Sequence, residues 1–215
     1  MKNFERARSE QSKEFRIQQI LNASELIYST TEFEKITYTQ IAKEARFTRS
    51  NLYKYFRTKE DIFLHLLLSD LTKWIDRVES LFISHESFHH ENFSRLWTST
   101  LLDNERLLNL RSILFTHLEK NASEGSFLEF KNNSRLQIER LTEFLKKNLP
   151  VEEDKKISEF ILLSLSMGSG IFPLYLHQEK GCKLLQKHGL PFNEINFSEV
   201  LNNGVRALSK VYFFS

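Results

Sequence analysis

Ile36-Thr37-Tyr38-Thr39-Gln40-Ile41-Ala42-Lys43-Glu44-Ala45, then Arg46-Phe47, then Thr48-Arg49-Ser50-Asn51-Leu52-Tyr53-Lys54-Tyr55-Phe56-Arg57-Thr58-Lys59-Glu60 reads as two short helices around a turn. Thr37 fits an N-cap with Gln40 at N3, a capping box, and predicts a helix over about Tyr38 to Ala45 that buries Ile41, Ala42 and Ala45. Thr48 is placed to cap a second helix, Arg49 to Phe56. Thr58 caps a long one starting at Lys59, with Glu60 and Asp61 complementing its dipole. Two short helices joined this way form a helix-turn-helix unit, whose second helix enters the DNA major groove. At about 100° per residue, Leu52 and Phe56 face the protein, Ser50, Asn51 and Lys54 face away, and Tyr53 and Tyr55 flank them. Small polar side chains and a lysine match the donors and acceptors of base edges. Flanking hydroxyls, free helix N–H groups and Lys59 suit phosphates, which set register without reading sequence. The same spacing also describes an amphipathic helix of an ordinary bundle.

The residue pattern closely resembles the TetR/AcrR family of bacterial regulators over about Arg16 to Phe63, most specifically in Leu52-Tyr53-x-Tyr55-Phe56 running into Thr58-Lys59-Glu60. The resemblance implies phosphate contacts at Tyr38 and Thr39, recognition-helix contacts through Arg49, Ser50, Asn51, Tyr53, Lys54 and Tyr55, and a backbone contact from Lys59. It also implies an all-α fold, an N-terminal three-helix helix-turn-helix domain followed by a C-terminal helical ligand-binding and dimerisation domain. One position departs from the family, which usually has glycine where this chain has Arg46. A left-handed non-glycine residue costs about 1 kcal/mol or more. Either the turn differs, or Arg46 tolerates the strain while reaching the DNA backbone.

The bulk composition agrees. Hydrophobic residues make up 40% and charged residues 27%, as in a soluble globular chain. Six glycines and three prolines in 215 residues are too few for the turns of an all-β fold. Residues 1–60 carry a net charge of +4 and the remainder −2, a basic head on a slightly acidic body that suits a polyanion at one end. The one cysteine, Cys182, permits no internal disulfide and fits a reducing cytoplasm. The charged N-terminus is no secretory signal. The most apolar run, Ile157 to Leu176, is broken by serines, glycines and Pro173 and reads as a buried helix rather than a membrane span.

Along the chain, residues 1–12 read as a mobile charged arm, 13–58 as the helix-turn-helix domain and 59–215 as the helical regulatory and dimerisation domain. The first helix is expected from Lys13 to Ser29. Further helices are expected at Lys59–Ser84, Asn92–Asp103, Glu105–Asn121, Ser126–Asn148, Glu152–His177 and Ser198–Phe214, with an irregular connection over Glu179–Asn196. The Glu152–His177 helix is apolar nearly all round, so it needs burial on several sides. One side suits its own core and another a partner subunit, in a four-helix bundle with the last helix. Gly168 and Gly170 would allow close helix contact, and Pro173 should kink the helix.

For an effector pocket, Trp97, Phe115, His117, Met167 and Phe172 lie on separate predicted helices that could converge; each also suits ordinary core. His85, His89 and His90 lack the spacing and partners of a metal site, so no metal and no cofactor is expected. Without a phosphate loop, metal spacing or nucleophile elbow, the chain does not read as an enzyme. The leading expectation is a cytoplasmic, homodimeric repressor on a palindromic double-stranded operator, released by a small apolar or amphipathic effector. The alternative is a DNA-bound adaptor of the same fold that acts through a protein partner. An enclosed apolar pocket would favour the first, a filled body with an exposed apolar patch the second.

Overall fold

Helices are the regular elements among the residues described by the computed structural model, 2–83 and 89–214. The helices are α1 (Lys2–Tyr28), α2 (Tyr38–Glu44), α3 (Arg49–Leu52), α4 (Lys59–Ile83), α5 (His90–Leu102), α6 (Glu105–Ser112), α7 (Glu119–Asn121), α8 (Glu124–Asn148), α9 (Asp154–Lys187) and α10 (Phe197–Phe213). The chain divides into two compact units, residues 1–68 with 115–131 and residues 69–114 with 132–215.

The first unit holds α1 to α3 around Ile20, Ile36, Ile41, Leu52, Phe56 and Phe63, all buried. Its boundary does not fall at 58/59 as expected, because the segment near residue 120 is bonded into it. The Ser123 N–H and hydroxyl donate to the Asp61 carboxylate at 2.7 and 3.0 Å. The His117 ring packs on Phe33 at 6.0 Å.

The second unit is organised by aromatic rings. Trp97 lies 5.3 Å from Trp74, 5.0 Å from Phe160 and 5.8 Å from Phe93, and Phe160 lies 4.6 Å from Phe213. Edge-on, tilted and stacked ring pairs of this kind add to the burial energy. Below them, Arg106 grips Asp70 with two hydrogen bonds of 2.7 and 2.6 Å. A Cβ at Gly204 of α10 would overlap Met167 Sδ of α9. Gly204 and Gly168, rather than Gly170, are therefore the glycines that permit close packing.

Four element expectations need correction. Residues 2–12, expected as an arm, are helical backbone continuous with α1, since no glycine or proline stops the helix there. α3 ends at Leu52 rather than Phe56, because the N–H groups of Lys54 and Tyr55 turn back to Asn51 and Leu52 in tighter, three-residue bonds. The Glu105–Asn121 helix is interrupted by a π-helical turn over Leu114–Leu118. α9 continues through Pro173 and on to Lys187, so the irregular connection shrinks to residues 188–196. The Asp154–Gln178 stretch of α9 is long and apolar enough to cross a membrane by length and composition. In this fold Ile157, Phe160, Ile161, Leu165 and Phe172 bury one side of it.

Candidate nucleic-acid interface

The expected caps form and set the geometry of the head. Gln40 N–H donates to Thr37 Oγ1 at 3.2 Å and Thr37 N–H donates to Gln40 Oε1 at 2.7 Å, closing the capping box of α2. Asn51 N–H donates to Thr48 Oγ1 at 3.2 Å. A second reciprocal pair caps α4, with Asp61 N–H donating to Thr58 Oγ1 and Thr58 N–H to Asp61 Oδ2, both at 3.1 Å. These bonds satisfy N–H groups that helix starts leave free.

The backbone of the turn between α2 and α3 is strained at Arg46. Its φ is +59°, in the left-handed region. Phe47 N–H donates to the Ala42 carbonyl at 2.8 Å and Arg46 N–H to the Lys43 carbonyl at 3.1 Å. This is the Schellman ending of a helix, with Arg46 at the position that glycine normally fills.

The two faces of the recognition segment separate as the periodicity predicts. Leu52 and Phe56 are buried, whereas Arg49, Ser50, Asn51 and Lys54 are exposed and Tyr55 is half-buried. Thr39 is exposed at the start of α2. Tyr53 is exposed and stacks on Tyr38 at 4.8 Å. The Arg49 guanidinium donates to the Tyr53 hydroxyl at 3.3 Å and lies 5.7 Å from its ring centre.

Two of the expected DNA residues also bond within the chain. The Tyr38 hydroxyl donates its proton to the Phe56 carbonyl at 2.6 Å. Burial, helped by neighbouring Tyr53 and Asp61, holds its pKa well above the usual tyrosine range. Its phenol hydrogen is thus used to lock α2 to the end of the recognition segment. The Lys59 ammonium donates to the Phe33 carbonyl at 2.9 Å and the Ile36 carbonyl at 2.8 Å, and sits 4.2 Å from the Phe33 ring centre. Two of its three hydrogens therefore cap the short 3₁₀ turn Phe33–Lys35.

Sequence reasoning missed Arg16. Its guanidinium rests 5.6 Å from the centre of the Phe47 ring. Together Arg16, Arg46, Phe47, Asn51, Lys54 and Tyr55 line a cavity of about 220 Å³. Only the exposed, polar face of α1 hinted at Arg16, and many solvated residues share that signal.

The five residues considered for an effector are divided between the two units. Phe115 and His117 belong to the first unit, where Phe115 is exposed and His117 Nε2 lies 3.8 Å from Glu34. Trp97, Met167 and Phe172 belong to the second, where Trp97 and Phe172 are buried in packed core. The reason is the break at Leu114–Leu118, after which the chain belongs to the head. The second unit instead carries two open clefts. One, of about 480 Å³, includes Leu102, Glu105, Tyr175 and Phe197 in its wall. The other, of about 530 Å³, includes Leu176, Cys182, Gln186 and Phe192. Of the three histidines weighed for a metal, His85 lies outside the described residues and the His90 ring is 2.7 Å from the Arg206 carbonyl oxygen.

Comparisons with known proteins agree with this architecture. The chain is 25% identical over 183 residues to the uncharacterized HTH-type transcriptional regulator YfiR of Bacillus subtilis, covering 80% of this chain and 86% of that protein. Among solved structures it resembles FadR of Thermus thermophilus, a TetR-family transcriptional repressor in complex with lauroyl-CoA. The TM-score is 0.60 at 17% identity, covering 90% of this chain and 93% of the other. It also resembles a TetR-family regulator from Mesorhizobium loti, with a TM-score of 0.57 at 16% identity and coverage of 93% and 96%. Residues 68–210 match the tetracyclin repressor-like C-terminal domain. With residues 20–66 also matching the N-terminal region of the same regulators, the chain belongs to the tetR family of bacterial regulatory proteins and is a DNA-binding transcriptional regulator.

Proposed function

We propose that the protein is a cytoplasmic, homodimeric repressor that sits on a palindromic operator and is released by an amphipathic effector. The observation that carries the DNA part is the exposure of Arg49, Ser50, Asn51 and Lys54 on a segment anchored by buried Leu52 and Phe56. In this reading Asn51 and Lys54 read base edges. Ser50 and Arg49 support them, Thr39, Tyr53 and Tyr55 touch phosphates, and Tyr38 and Lys59 hold the contacting elements in place.

The dimer is supported by an apolar stripe along α9, where Leu162, Leu163 and Leu174 are 59%, 41% and 60% exposed with Gly170 between them. Val200 and Val211 continue exposed apolar surface on α10. Paired with the same stripes of a second copy, they would form a four-helix interface. The effector is supported by the likeness to the lauroyl-CoA-bound repressor. Arg111 adds to this, a half-buried residue whose buried Nε has no partner among the described residues and whose pKa burial lowers. A partly buried cation with an unpartnered donor favours an effector with an anionic group as well as an apolar chain. The adaptor reading is favoured by the packed aromatic core and by clefts that open to the surface.

Selection of duplexes from a random pool by the purified protein tests the DNA part, with a recovered palindrome as the expected result. Light scattering showing a monomer at micromolar concentration would remove the dimer. Acyl thioesters should weaken binding to the selected duplex, and by linkage that duplex must weaken thioester binding by the same factor. Thioester binding indifferent to DNA would favour the adaptor.

A further inference from the structure

A non-glycine residue in the left-handed region is uncommon, and here it stands where glycine would sit without strain. What the position gains by being arginine is its side chain. That side chain lines the 220 Å³ cavity beside Arg16 and Lys54, and no carboxylate contributes to the wall. Three cations gathered around one small cavity repel one another until an anion enters. The wall is also braced. The Arg16 guanidinium lies against the Phe47 ring, and Phe47 meets Tyr55 edge-on at 5.9 Å with an interplanar angle of 86°. Phe47 follows Arg46 directly, so the strained turn sets both the ring shelf and the cation above it. Asn51 and Lys54 complete the cavity from the outward face of the recognition segment.

We propose that this cavity is a phosphodiester seat at the helix-turn-helix turn, in which Arg46 and Arg16 hold one backbone phosphate of the bound duplex beside the base-reading Lys54. The inference rests on the DNA-binding reading above and adds a contact specific to this chain. A compact tetrahedral anion suits two guanidinium groups in one wall with a lysine beside them; an apolar group would leave the cations unneutralised. Seating the phosphate next to Asn51 and Lys54 fixes the register of the side chains that face the bases.

The test compares Arg46→Gly, Arg46→Ala and the parent on the duplex that the parent selects from a random pool and on a mixed-sequence duplex of equal length. Arg46→Gly relieves the strain and removes the cation; Arg46→Ala removes the cation and keeps the strain. Both should bind both duplexes more weakly, by about tenfold per head. The slope of log affinity against log salt should be shallower by up to about 0.9 per head, the full value if Arg46 alone neutralises the phosphate. Only Arg46→Gly should melt higher than the parent. Equal affinity and salt slope for parent and Arg46→Gly, in a parent that does bind DNA, would overturn the seat and leave the DNA-binding reading intact. Weaker binding by Arg46→Ala but not by Arg46→Gly would assign the effect to turn geometry and also overturn it. A parent that selects no duplex would remove the DNA-binding reading itself.

Discussion

Asp61 is the residue whose loss the head should feel most. It is 1% exposed and accepts four hydrogen bonds. Oδ2 takes the N–H groups of Arg57 at 2.9 Å and Thr58 at 3.1 Å and the Ser123 hydroxyl at 3.0 Å, while Oδ1 takes Ser123 N–H at 2.7 Å. Asp61→Asn keeps the shape and removes the charge. Its NH₂ must occupy one of the two oxygen positions. At Oδ2 it meets two backbone N–H groups; at Oδ1 it meets one. The cheaper orientation still leaves a buried donor against a donor, costing about 1–3 kcal/mol, and turns the remaining bonds from charge-assisted to neutral at roughly 1 kcal/mol each. The total is about 4–6 kcal/mol. For a chain of this length each kcal/mol moves the midpoint by about 2–4 °C, so melting followed by circular dichroism should fall by on the order of 10 °C. Ser123→Ala, which removes only the hydroxyl, should cost about 1 kcal/mol. An Asp61→Asn variant that melts within about 2 °C of the parent would refute the reasoning, because the carboxylate would then not be holding these donors.

Lys59→Met should lower stability by about 2 kcal/mol, since it strips two carbonyls of a charged donor; an unchanged melting point would return Lys59 to a purely DNA-facing role. Gly204→Ala should cost about 1–3 kcal/mol through overlap with Met167. Most of that loss should return in Gly204→Ala with Met167→Ala, and a denaturant double-mutant cycle measures the coupling. Tyr38 holds its proton more tightly when folded than unfolded, so its contribution is complete below the ordinary tyrosine pKa of 10.0 and is lost as pH rises above it. Tyr38→Phe should therefore flatten the alkaline part of the stability profile, and an unchanged profile would contradict the bond to Phe56.

Much of the head was legible because short-range chemistry decides it. Thr37 with Gln40, Thr48, and Thr58 each mark a helix start with an oxygen that caps free N–H groups within three residues. Leu52 and Phe56 follow from helical period alone, and their burial holds even though the last turn is tighter than an α-helix. At Arg46 the sequence left two conformations open, and the structure has the left-handed one that glycine usually takes at such a helix end.

Contacts between distant parts of the chain are a different matter. Nothing local tells that Lys59 turns inward to carbonyls more than twenty residues earlier, or that the Tyr38 hydroxyl spends its hydrogen on Phe56. Phe115 and His117 share the aromatic character of Trp97 and Phe172, yet Asp61 and Phe33 draw their segment into the head. Arg16 gains its place only because Phe47 is folded beneath it. Sequence by itself determined the all-α class, the helix-turn-helix and which face of the recognition segment is polar, since period and caps act over a few residues. Tertiary structure alone decided which cations remain available and which aromatics are core, because those depend on partners brought together by packing.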